Sequence, residues 1–473
     1  MALRDLRMCG GCLVKLREID RMKRQIVQLK ATVARLKARL GRQDRHIHEK
    51  PFGSSTSSAK EPFKTRASAV NQARKGGAKR GHEGHGRRAA TAMRTLPDLL
   101  LPAPCRCPDC GGPLQKPSRR RRRTVSWEPG LPAVRTTVSE ECWCPHCRRT
   151  VRPPNPVALP GMMLENSVLA TVACMHYLQG LTLGHIVRIT GLNKSTLVGA
   201  MHRLARVLAP ALPGLLEQLR AASVIFGDET TWRNDGVSGY AWMLRSLDTV
   251  AYAFRGTRAG TVPQELLGSL RLLGVLVTDR YAGYNGLPIA RQYCYAHPLR
   301  DLEDLLTDFP DHPEVKAFVD ELAPLLKGAM SLRRGERRLR HYRRKARRLR
   351  DRILDVVGRS ARHPGVQSFQ GIFRENADRL YHWVEDPMVP AENNTAERGL
   401  RPTVIARKLS FGSQSPAGAH TREVIMTVLG TLQMRTHDPW AILRHALDTL
   451  ALQPHRAPDI GTILFDEPAL MTG

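Results

Sequence analysis

Long apolar runs are absent from this sequence of 473 residues. No stretch reaches the roughly 18 consecutive apolar residues that a membrane-spanning helix requires. The first residues, MALRDLRMCGGC, also lack the apolar core of a secretory signal peptide. We therefore expect a cytoplasmic protein with no membrane partner, whose ten cysteines are reduced and available for metal rather than disulfides.

Acidic residues are also scarce, since 43 Asp and Glu face 74 Lys and Arg and leave a net charge of +31. A field of this sign attracts polyanions and releases their counterions, so nucleic acid is the leading partner. A ribosomal or membrane-surface protein can be equally basic, but ribosomal proteins are rarely this long. The 42% hydrophobic content is enough for several domains with buried cores, so we expect a multidomain α+β protein.

Residues 1–45 show a heptad-like apolar seam. Its members recur at steps of three and four along an otherwise polar helix: Ile19, Met22, Ile26, Leu29, Val33, Leu36 and Leu40. This pattern predicts a short coiled coil and hence a homo-oligomer, with a helix packed on its own domain as the alternative. Cys9 and Cys12 precede the seam as a lone CxxC pair and stay unassigned.

Residues 46–98 are rich in Ser, Gly, Lys, Arg and His and poor in apolar side chains. Such a composition cannot bury enough surface to fold alone and predicts a basic flexible linker. The linker is either simply solvated or lies along DNA phosphates through Lys79, Arg80 and Arg87.

Residues 99–155 contain two CxxC pairs, CPDC and CPHC. Four thiolates from two such knuckles form a closed tetrahedral set, which predicts a structural zinc ribbon rather than a catalytic metal site. The predicted ligands are Cys107, Cys110, Cys144 and Cys147. Cys105 and Cys142 flank the knuckles and are possible competitors.

A run of five arginines, Arg119 to Arg123, lies between the two knuckles. We expect a loop of the ribbon to project this run, with Arg119, Arg121 and Arg123 on DNA phosphates. A merely solvated loop tip is the alternative.

Residues 160–220 read as a helical DNA-binding region. The segment LTLGHIVRITGLNKSTLVGAMHRLARVL predicts a helix, a turn at Gly191 and a second helix capped by Asn193. This resembles a helix-turn-helix, but ordinary helical hairpins share the pattern.

Residues 221–418 carry two aspartates at predicted strand ends. The apolar run ASVIFGDETTW delivers Asp228, two further strands follow, and the buried strand GVLVT delivers Asp279. A strand meander, a helix, another strand and a distant helix with Glu is the ribonuclease H-like order, which places both aspartates at one sheet edge. Carboxylates there would bind two catalytic Mg²⁺ ions for phosphoryl transfer, whereas a single such Asp is more often a turn or cap residue.

The third carboxylate comes from VPAENNTAERGLRPTVIARKLSFGS, which contains Glu392 and Glu397. Asn394 and Glu397 fit a capping box, in which Glu397 binds a backbone N–H and no metal. Against this, Glu397 would lie on a rigid helix beside Arg398 and Arg401, whereas Glu392 precedes the helix on a segment free to move. We therefore predict Glu397 as the metal ligand, with the two arginines on phosphate.

Residues 294–386 form a predicted helical insertion within the catalytic domain, and residues 419–473 a C-terminal helical region. An apolar stripe in the insertion predicts a folded helix with an arginine-covered outer face: Leu332, Leu339, Tyr342, Ala346, Leu349 and Ile353. We interpret the arginines as facing DNA, with solvation as the alternative. Cys294 and His297 are read as structural rather than as a metal half-site.

These segments together resemble an insertion-sequence transposase of the family numbered sixty-six, the TnpC-type DDE transposases. The resemblance rests on KPFGSST, GHEGHGRR, GDETTW, TDRYAGYN, CYAHPLRDLED, ENNTAERGLRP, RKLSFGS and DPWAILRHAL. The sequence has Glu392 where the family usually has Asp, Gly399 where it usually has Ala, and CYAHPLR in place of CxxHxRR.

The resemblance implies that Asp228, Asp279 and Glu397 are the acidic triad of a ribonuclease H-like domain, with Mg²⁺ as cofactor. It implies cleavage and joining of DNA at the terminal inverted repeats of the insertion sequence and at target DNA. Arg407 and Lys408 join the expected DNA contacts. The expected setting is the bacterial nucleoid, with accessory proteins of the same insertion sequence as possible partners. An inactive zinc-ribbon DNA-binding protein and a nuclease that cleaves without joining are the alternatives.

Overall fold

The computed structural model describes residues 93–128, 131–332, 339–453 and 459–465, together with Met22 and Gln25. The predicted coiled coil over 1–45, apart from those two positions, and most of the predicted linker therefore lie outside the described residues. The same holds for Cys9, Cys12, Lys79, Arg80 and Arg87. Within the described part, the chain has a mixed α+β fold with two five-stranded sheets and many helices.

The first sheet is organised around its longest strand. Its members are β1 (Arg94–Thr95), β2 (Leu99–Leu101), β3 (Ser118–Glu128), β4 (Leu131–Cys144) and β5 (Arg149–Val151). β3 and β5 pair antiparallel with β4, whereas β1 and β2 run parallel to it. β1 falls inside the predicted linker, but it belongs to the sheet because it pairs with Ala133 and Val134.

The arginine run lies on β3 and not on a loop, so the expectation of a projecting loop tip is wrong. Arg119 pairs with Glu140 and Arg123 with Thr136 in an unbroken antiparallel register. All five arginines are nevertheless exposed. The strand forms because β4 offers a partner over its full length, which a local reading of charged residues cannot detect.

The second sheet has the strand order β10-β9-β6-β7-β8. Its members are β6 (Val224–Asn234), β7 (Val237–Arg245), β8 (Val250–Arg255), β9 (Val275–Thr278) and β10 (Ala290–Tyr293). β6, β7 and β8 form an antiparallel meander, and β9 joins β6 in parallel on its other side, followed by β10.

Both faces of this sheet are covered, which explains its nearly continuous apolar strands. Consecutive residues alternate between two cores: Ile225 and Trp242 pack in one, whereas Phe226 and Met243 pack in the other. Strand geometry dictates this alternation, because successive side chains point to opposite faces.

The helices fall into three groups. Before the second sheet come α1 (Asn166–Ala173), a π-helical turn (Cys174–Leu178), α2 (Leu183–Thr190), α3 (Lys194–Leu208) and α4 (Leu212–Arg220), and within it α5 (Thr261–Leu267). After β10 come α6 (Ala296–Asp308), α7 (Pro313–Ser331), α8 (Leu339–Gly358), α9 (Pro364–Glu375) and α10 (His382–Glu385). The last group is α11 (Asn394–Ser410), α12 (Pro416–Arg435), α13 (Pro439–Leu452) and α14 (Ile460–Phe465).

The region predicted as a helix-turn-helix contains α2 and α3 joined by Gly191. Gly191 has φ 66°, the left-handed conformation in which glycine ends helices without strain. Asn193 occupies the N-cap of α3, but its side chain makes no capping hydrogen bond. Leu197 and Leu204 of α3 are buried in the same core as Phe226 and Met243 of the second sheet.

Helices α6 to α10, which lie between β10 and α11 along the chain, share a separate apolar core. From the predicted stripe, Tyr342, Ala346 and Ile353 are buried on α8. Two members differ from the prediction: Leu332 caps the end of α7, and Leu339 is 42% exposed. The apolar stripe predicted from the sequence spanned the end of α7, and the helical periodicity of α7 does not continue into α8.

A buried arginine ties α12 to the π-helical turn and to β6. Arg422 donates from Nη2 toward His176 Nε2 at 3.1 Å, and its guanidinium lies over the rings of Tyr177 and Trp232. His176 Nδ1 lies 2.7 Å from the carbonyl oxygen of Leu181, so this nitrogen carries the proton and Nε2 accepts. The neutral imidazole is therefore the form that the fold stabilises.

We expect the free energy of unfolding to fall as the pH drops below 6.5, in part through His176. Burial, with the Arg422 charge in addition, lowers the pKa of His176 to about 4. The unfolded state then binds the proton more readily between pH 6.5 and 4, at a cost of at most about 1.4 kcal/mol per pH unit. Urea unfolding of wild type and His176→Gln at pH 7, 6 and 5 measures this contribution. Parallel pH profiles for the two proteins would contradict it.

Candidate active site

Two aspartates lie side by side on neighbouring parallel strands. The register pairs Phe226 of β6 with Val277 of β9; two residues later, Asp228 lies within β6 and Asp279 directly follows the end of β9 at Thr278. Asp228 was expected at a strand end, but β6 continues to Asn234 because β7 pairs with it throughout. Asp228 therefore lies mid-strand, at the point where β9 stops running alongside.

The start of α11 is held against this edge by long-range hydrogen bonds. The side-chain amide of Asn393 donates to Gly227 O at 2.8 Å, next to Asp228, and the Asn393 backbone N–H reaches Cys294 Sγ at 3.1 Å. Tyr295 N donates to Ala391 O at 2.8 Å. These contacts give Cys294 a structural role, as expected, and bring the first turns of α11 to the aspartates.

Glu392, just before α11, and Glu397, on α11, differ sharply in environment. Glu392 is only 5% exposed, and its Oε2 accepts the backbone N–H of Asn394 at 3.0 Å. The expectation that Glu392 lies on a freely moving segment is therefore wrong, because the Asn393 contacts bury it. The Glu397 side chain is 46% exposed and lies 3.9 Å from Arg300 Nη2.

The capping box considered for Asn394 and Glu397 does not form. The N-cap residue is Asn393, which puts Glu397 one position beyond the third helical residue that the box requires, and no side chain caps there. Instead Glu392 accepts the first N–H of the helix, so Glu397 is not used to satisfy the helix end.

Negative charge is concentrated at Asp228. Burial and the neighbouring Glu229 raise the pKa of Asp228 to about 7, and Asp279 and Glu397 act in the same direction. One Asp228 oxygen accepts the N–H of Glu229 at 2.9 Å, and one Asp279 oxygen accepts that of Tyr281 at 2.9 Å. Over the described ranges, no Lys or Arg forms an ion pair with either aspartate.

Glu229 is a site residue that the sequence reading missed. Arg258 Nε donates to its Oε1 at 2.9 Å and Tyr284 OH donates to its Oε2 at 2.7 Å. The Arg258 guanidinium in turn lies 3.8 Å from the ring centre of Tyr281. Glu229 thus has a cationic partner, whereas Asp228 and Asp279 have none among the described residues. The adjacent acids Asp228 and Glu229 in GDETTW are the sequence feature that could have indicated this residue.

The first turn of α6 adds His297 and Arg300 to the site. Arg300 Nη2 lies 3.5 Å from His297 Nε2, and His297 Nδ1 is buried and has no hydrogen-bond partner among the described residues. Burial lowers the pKa of His297, and the Arg300 charge lowers it further. The sequence reading gave His297 only a structural role.

The four knuckle cysteines come together as predicted by their spacing. Their four donor atoms all lie within 4.8 Å of one another, and in the part of the chain that the structure describes no other group of three or more potential metal ligands meets this criterion. The Asp228, Asp279 and Glu397 oxygens are spread more widely. Cys105 is exposed and Cys142 lies on β4, and neither belongs to the cluster.

The cysteine geometry fits a tetrahedral ion. Cys107 and Cys147 sulfurs are 3.9 Å apart, and Cys110 and Cys144 sulfurs 3.7 Å. Zinc–sulfur bonds of about 2.3 Å give a tetrahedron with edges of about 3.8 Å. Gly111 takes φ 68° and donates its N–H to Cys107 O at 2.9 Å, which closes the first knuckle.

The predicted DNA-contacting cations are in three situations. Arg398, Arg401 and Lys408 are exposed along α11. Arg407 instead turns inward and donates to Thr230 Oγ1 and Thr231 O, both at 2.8 Å. On β3, Arg119 pairs with Glu140 at 3.3 Å, whereas Arg121 and Arg123 are exposed.

Residues 161–421 match the family model "Transposase IS66 family". The chain belongs to the IS66 transposase family. The matched range contains both aspartates and Glu397, and it excludes the cysteine cluster. The resemblance drawn from the sequence is thereby confirmed.

Two relatives are similar over most of their length, both from Sinorhizobium fredii strain NGR234. The uncharacterized protein y4jD is 22% identical, with 92% of this chain and 93% of the relative covered. The uncharacterized protein y4hP is 25% identical over 75% of this chain and 72% of the relative. Membership of the IS66 transposase family implies DNA binding. Within the described ranges, the helices include none long and apolar enough to cross a membrane.

Proposed function

We propose that this protein is the DNA transposase of an insertion sequence and cleaves and joins DNA by Mg²⁺-dependent DDE chemistry. The observation that carries the proposal is the pair Asp228 and Asp279, one within β6 and one directly after the adjacent parallel strand β9, without a cationic partner among the described residues. Like charges crowded together in a buried site favour binding of an external cation. Glu397, on a helix pinned to the same strand, supplies the third carboxylate.

The second sheet supports a ribonuclease H-like catalytic domain. Along the chain, the antiparallel meander β6 to β8, the helix α5, the parallel strand β9 and the later helix α11 with Glu397 follow the order that the sequence analysis described for such a domain. The helices α6 to α10 would then be an insertion between the last strand and the helix bearing Glu397.

Asp228, Asp279 and Glu397 would hold two Mg²⁺ ions through hard oxygen ligands. Such ions, when bound, activate the attacking oxygen and stabilise the leaving oxygen in phosphoryl transfer. Glu397 must separate from Arg300 to become a ligand, and the 3.9 Å contact is loose enough to exchange. Arg398 and Arg401, exposed on the same helix, would hold the flanking phosphates.

The four cysteines would bind one structural zinc ion. A set of four thiolates leaves no open position, so this ion takes no part in cleavage. With the exposed cations of β3, the module would grip DNA at the terminal inverted repeats. Assembly as a homo-oligomer and help from accessory proteins of the same insertion sequence complete the proposal.

A strand-transfer assay tests the proposed activity. The purified chain, incubated with Mg²⁺ and DNA carrying the inverted repeats that flank its gene, should cut at the repeat ends and join them to a plasmid target. Cleavage without joined product would favour the nuclease. Binding of the repeats without cleavage in Mg²⁺ or Mn²⁺ would favour the inactive DNA-binding protein.

A further inference from the structure

Helix α8 has two faces of opposite character. Its described residues include seven arginines and one lysine against two aspartates. Tyr342, Ala346 and Ile353 are buried against the other helices of the insertion. The basic side chains therefore cover the outward face of a well-anchored helix, and nothing in the candidate active site uses them.

Some of these arginines are already neutralised by carboxylates. Arg347 pairs with Glu385 at 3.0 Å, and Arg350 pairs with Asp351 at 2.8 Å. Just beyond the helix, Arg359 pairs with Glu321 at 2.6 Å and also with Asp355. The charges of these three arginines are therefore balanced by carboxylates of the same protein.

A second set of arginines forms no ion pair with the carboxylates that the structure describes. Arg340, Arg344 and Arg348 are exposed, and across the described residues no carboxylate forms an ion pair with any of them. They recur every four residues, so they lie in one row about 12 Å long. Like charges at this spacing destabilise a helix by a few tenths of a kcal/mol per pair. The row is therefore unfavourable for the isolated fold and points to an external anion.

The row lines a groove of about 750 Å³. Its walls are formed by one leucine, five arginines and one aspartate: Leu339, Arg340, Arg343, Arg344, Arg347, Arg348 and Asp351. The described lining of the groove includes no aromatic ring on which an unpaired base would stack. It offers guanidinium groups, which bind phosphate through paired N–H donors.

We propose that this arginine groove binds the phosphate backbone of duplex DNA. A row of about 12 Å is as long as three to four base-pair steps of duplex DNA along its axis, at about 3.4 Å each. Because the groove presents donors to phosphate and no ring to bases, the contact is independent of sequence. The choice of DNA rests on the proposed transposase function, but the contact does not depend on the acidic triad.

The groove is also linked to the segment that carries the glutamates. Tyr342 OH donates to Trp383 O at 2.6 Å, and Arg347 pairs with Glu385, so α8 is fixed to α10. From α10 the chain runs directly into Glu392 and α11. DNA bound by the groove is thus held by the same insertion that delivers Glu397.

The salt dependence of binding tests the proposal. Arg344→Gln/Arg348→Gln removes two free cations, whereas Arg350→Gln/Arg359→Gln removes two paired ones and is the matched control. Full-length proteins are titrated with a fluorescent 40-base-pair duplex of arbitrary sequence, without added Mg²⁺, from 50 to 200 mM KCl. Two lost phosphate contacts should reduce the slope of log K against log salt by about 1.8. Over this range the affinity of wild type should then fall about tenfold more than that of the groove variant.

The control variant should keep the wild-type slope, and Arg344→Lys/Arg348→Lys should restore it because lysine keeps the charge. An unchanged slope in the groove variant, or an equal reduction in both Gln variants, would overturn the proposal. Tighter binding of single-stranded than of duplex DNA through the groove would also contradict it. Cleavage of pre-formed ends is measured separately, so a failed groove and a failed active site give different results.

Discussion

Glu397→Gln is expected to lower Mg²⁺-dependent cleavage of a pre-formed insertion-sequence end by about a thousandfold or more, as loss of an essential catalytic group does. The substitution keeps the shape of the side chain and removes one anionic ligand. The thermal midpoint should change little, because Glu397 is half exposed and caps no helix. Cleavage is measured at saturating Mg²⁺ on duplexes that carry the terminal repeat.

Glu392→Gln is the matched control, five residues earlier on the same segment. The Gln carbonyl oxygen can still accept the N–H of Asn394, so the start of α11 should be preserved. We expect only a modest loss of cleavage. Full activity in the Glu397 variant would exclude Glu397 from the triad, and equal, severe loss in both variants would mean that the geometry of α11 had been disrupted instead.

Loss of one knuckle thiolate should release zinc and unfold the first sheet near the cluster. We expect about one zinc ion per chain in wild type and almost none in Cys144→Ser, since a site with three thiolates binds the ion far more weakly. Structural zinc contributes on the order of 10 kcal/mol to small modules, so the thermal transition of this region should be lost rather than shifted. Binding to terminal repeats should weaken with it. Elemental analysis and calorimetry measure both effects.

Cys142→Ser is the control for the zinc prediction. Cys142 is buried on the same strand, two residues before Cys144, but lies outside the cluster. This variant should keep its zinc, with only a small decrease in stability from a buried hydroxyl. Zinc retention by Cys144→Ser would refute the four-thiolate site, and zinc loss from Cys142→Ser would indicate a different ligand set.

Local patterns predicted the features that local forces determine. The cysteine knuckles follow from spacing and tight turns, and the strands β6 to β9 follow from apolar runs bounded by turn residues. The remaining features depend on tertiary contacts, which local patterns do not contain. β6 continues past Asp228 because β7 accompanies it, and the arginine run is a strand because β4 pairs with it.

The sequence likewise could not show which carboxylates have partners within the protein and which do not. Glu229 is neutralised by Arg258, which comes 29 residues later in the chain. Glu392 is buried because Asn393 reaches back to Gly227, across 166 residues. Contacts at such separations depend on the assembled fold, so a single sequence identified the acids but not which of them are satisfied internally.

The contacts of Cys294 and Tyr295 with Asn393 and Ala391 close the helical insertion at its neck. The chain between these contacts leaves the second sheet and returns to it at this one junction. We therefore expect the length and shape of α7 to α9 to vary without changing the spacing of the acidic residues. The insertion is thus a peripheral module whose two ends are fixed at one place beside the second sheet.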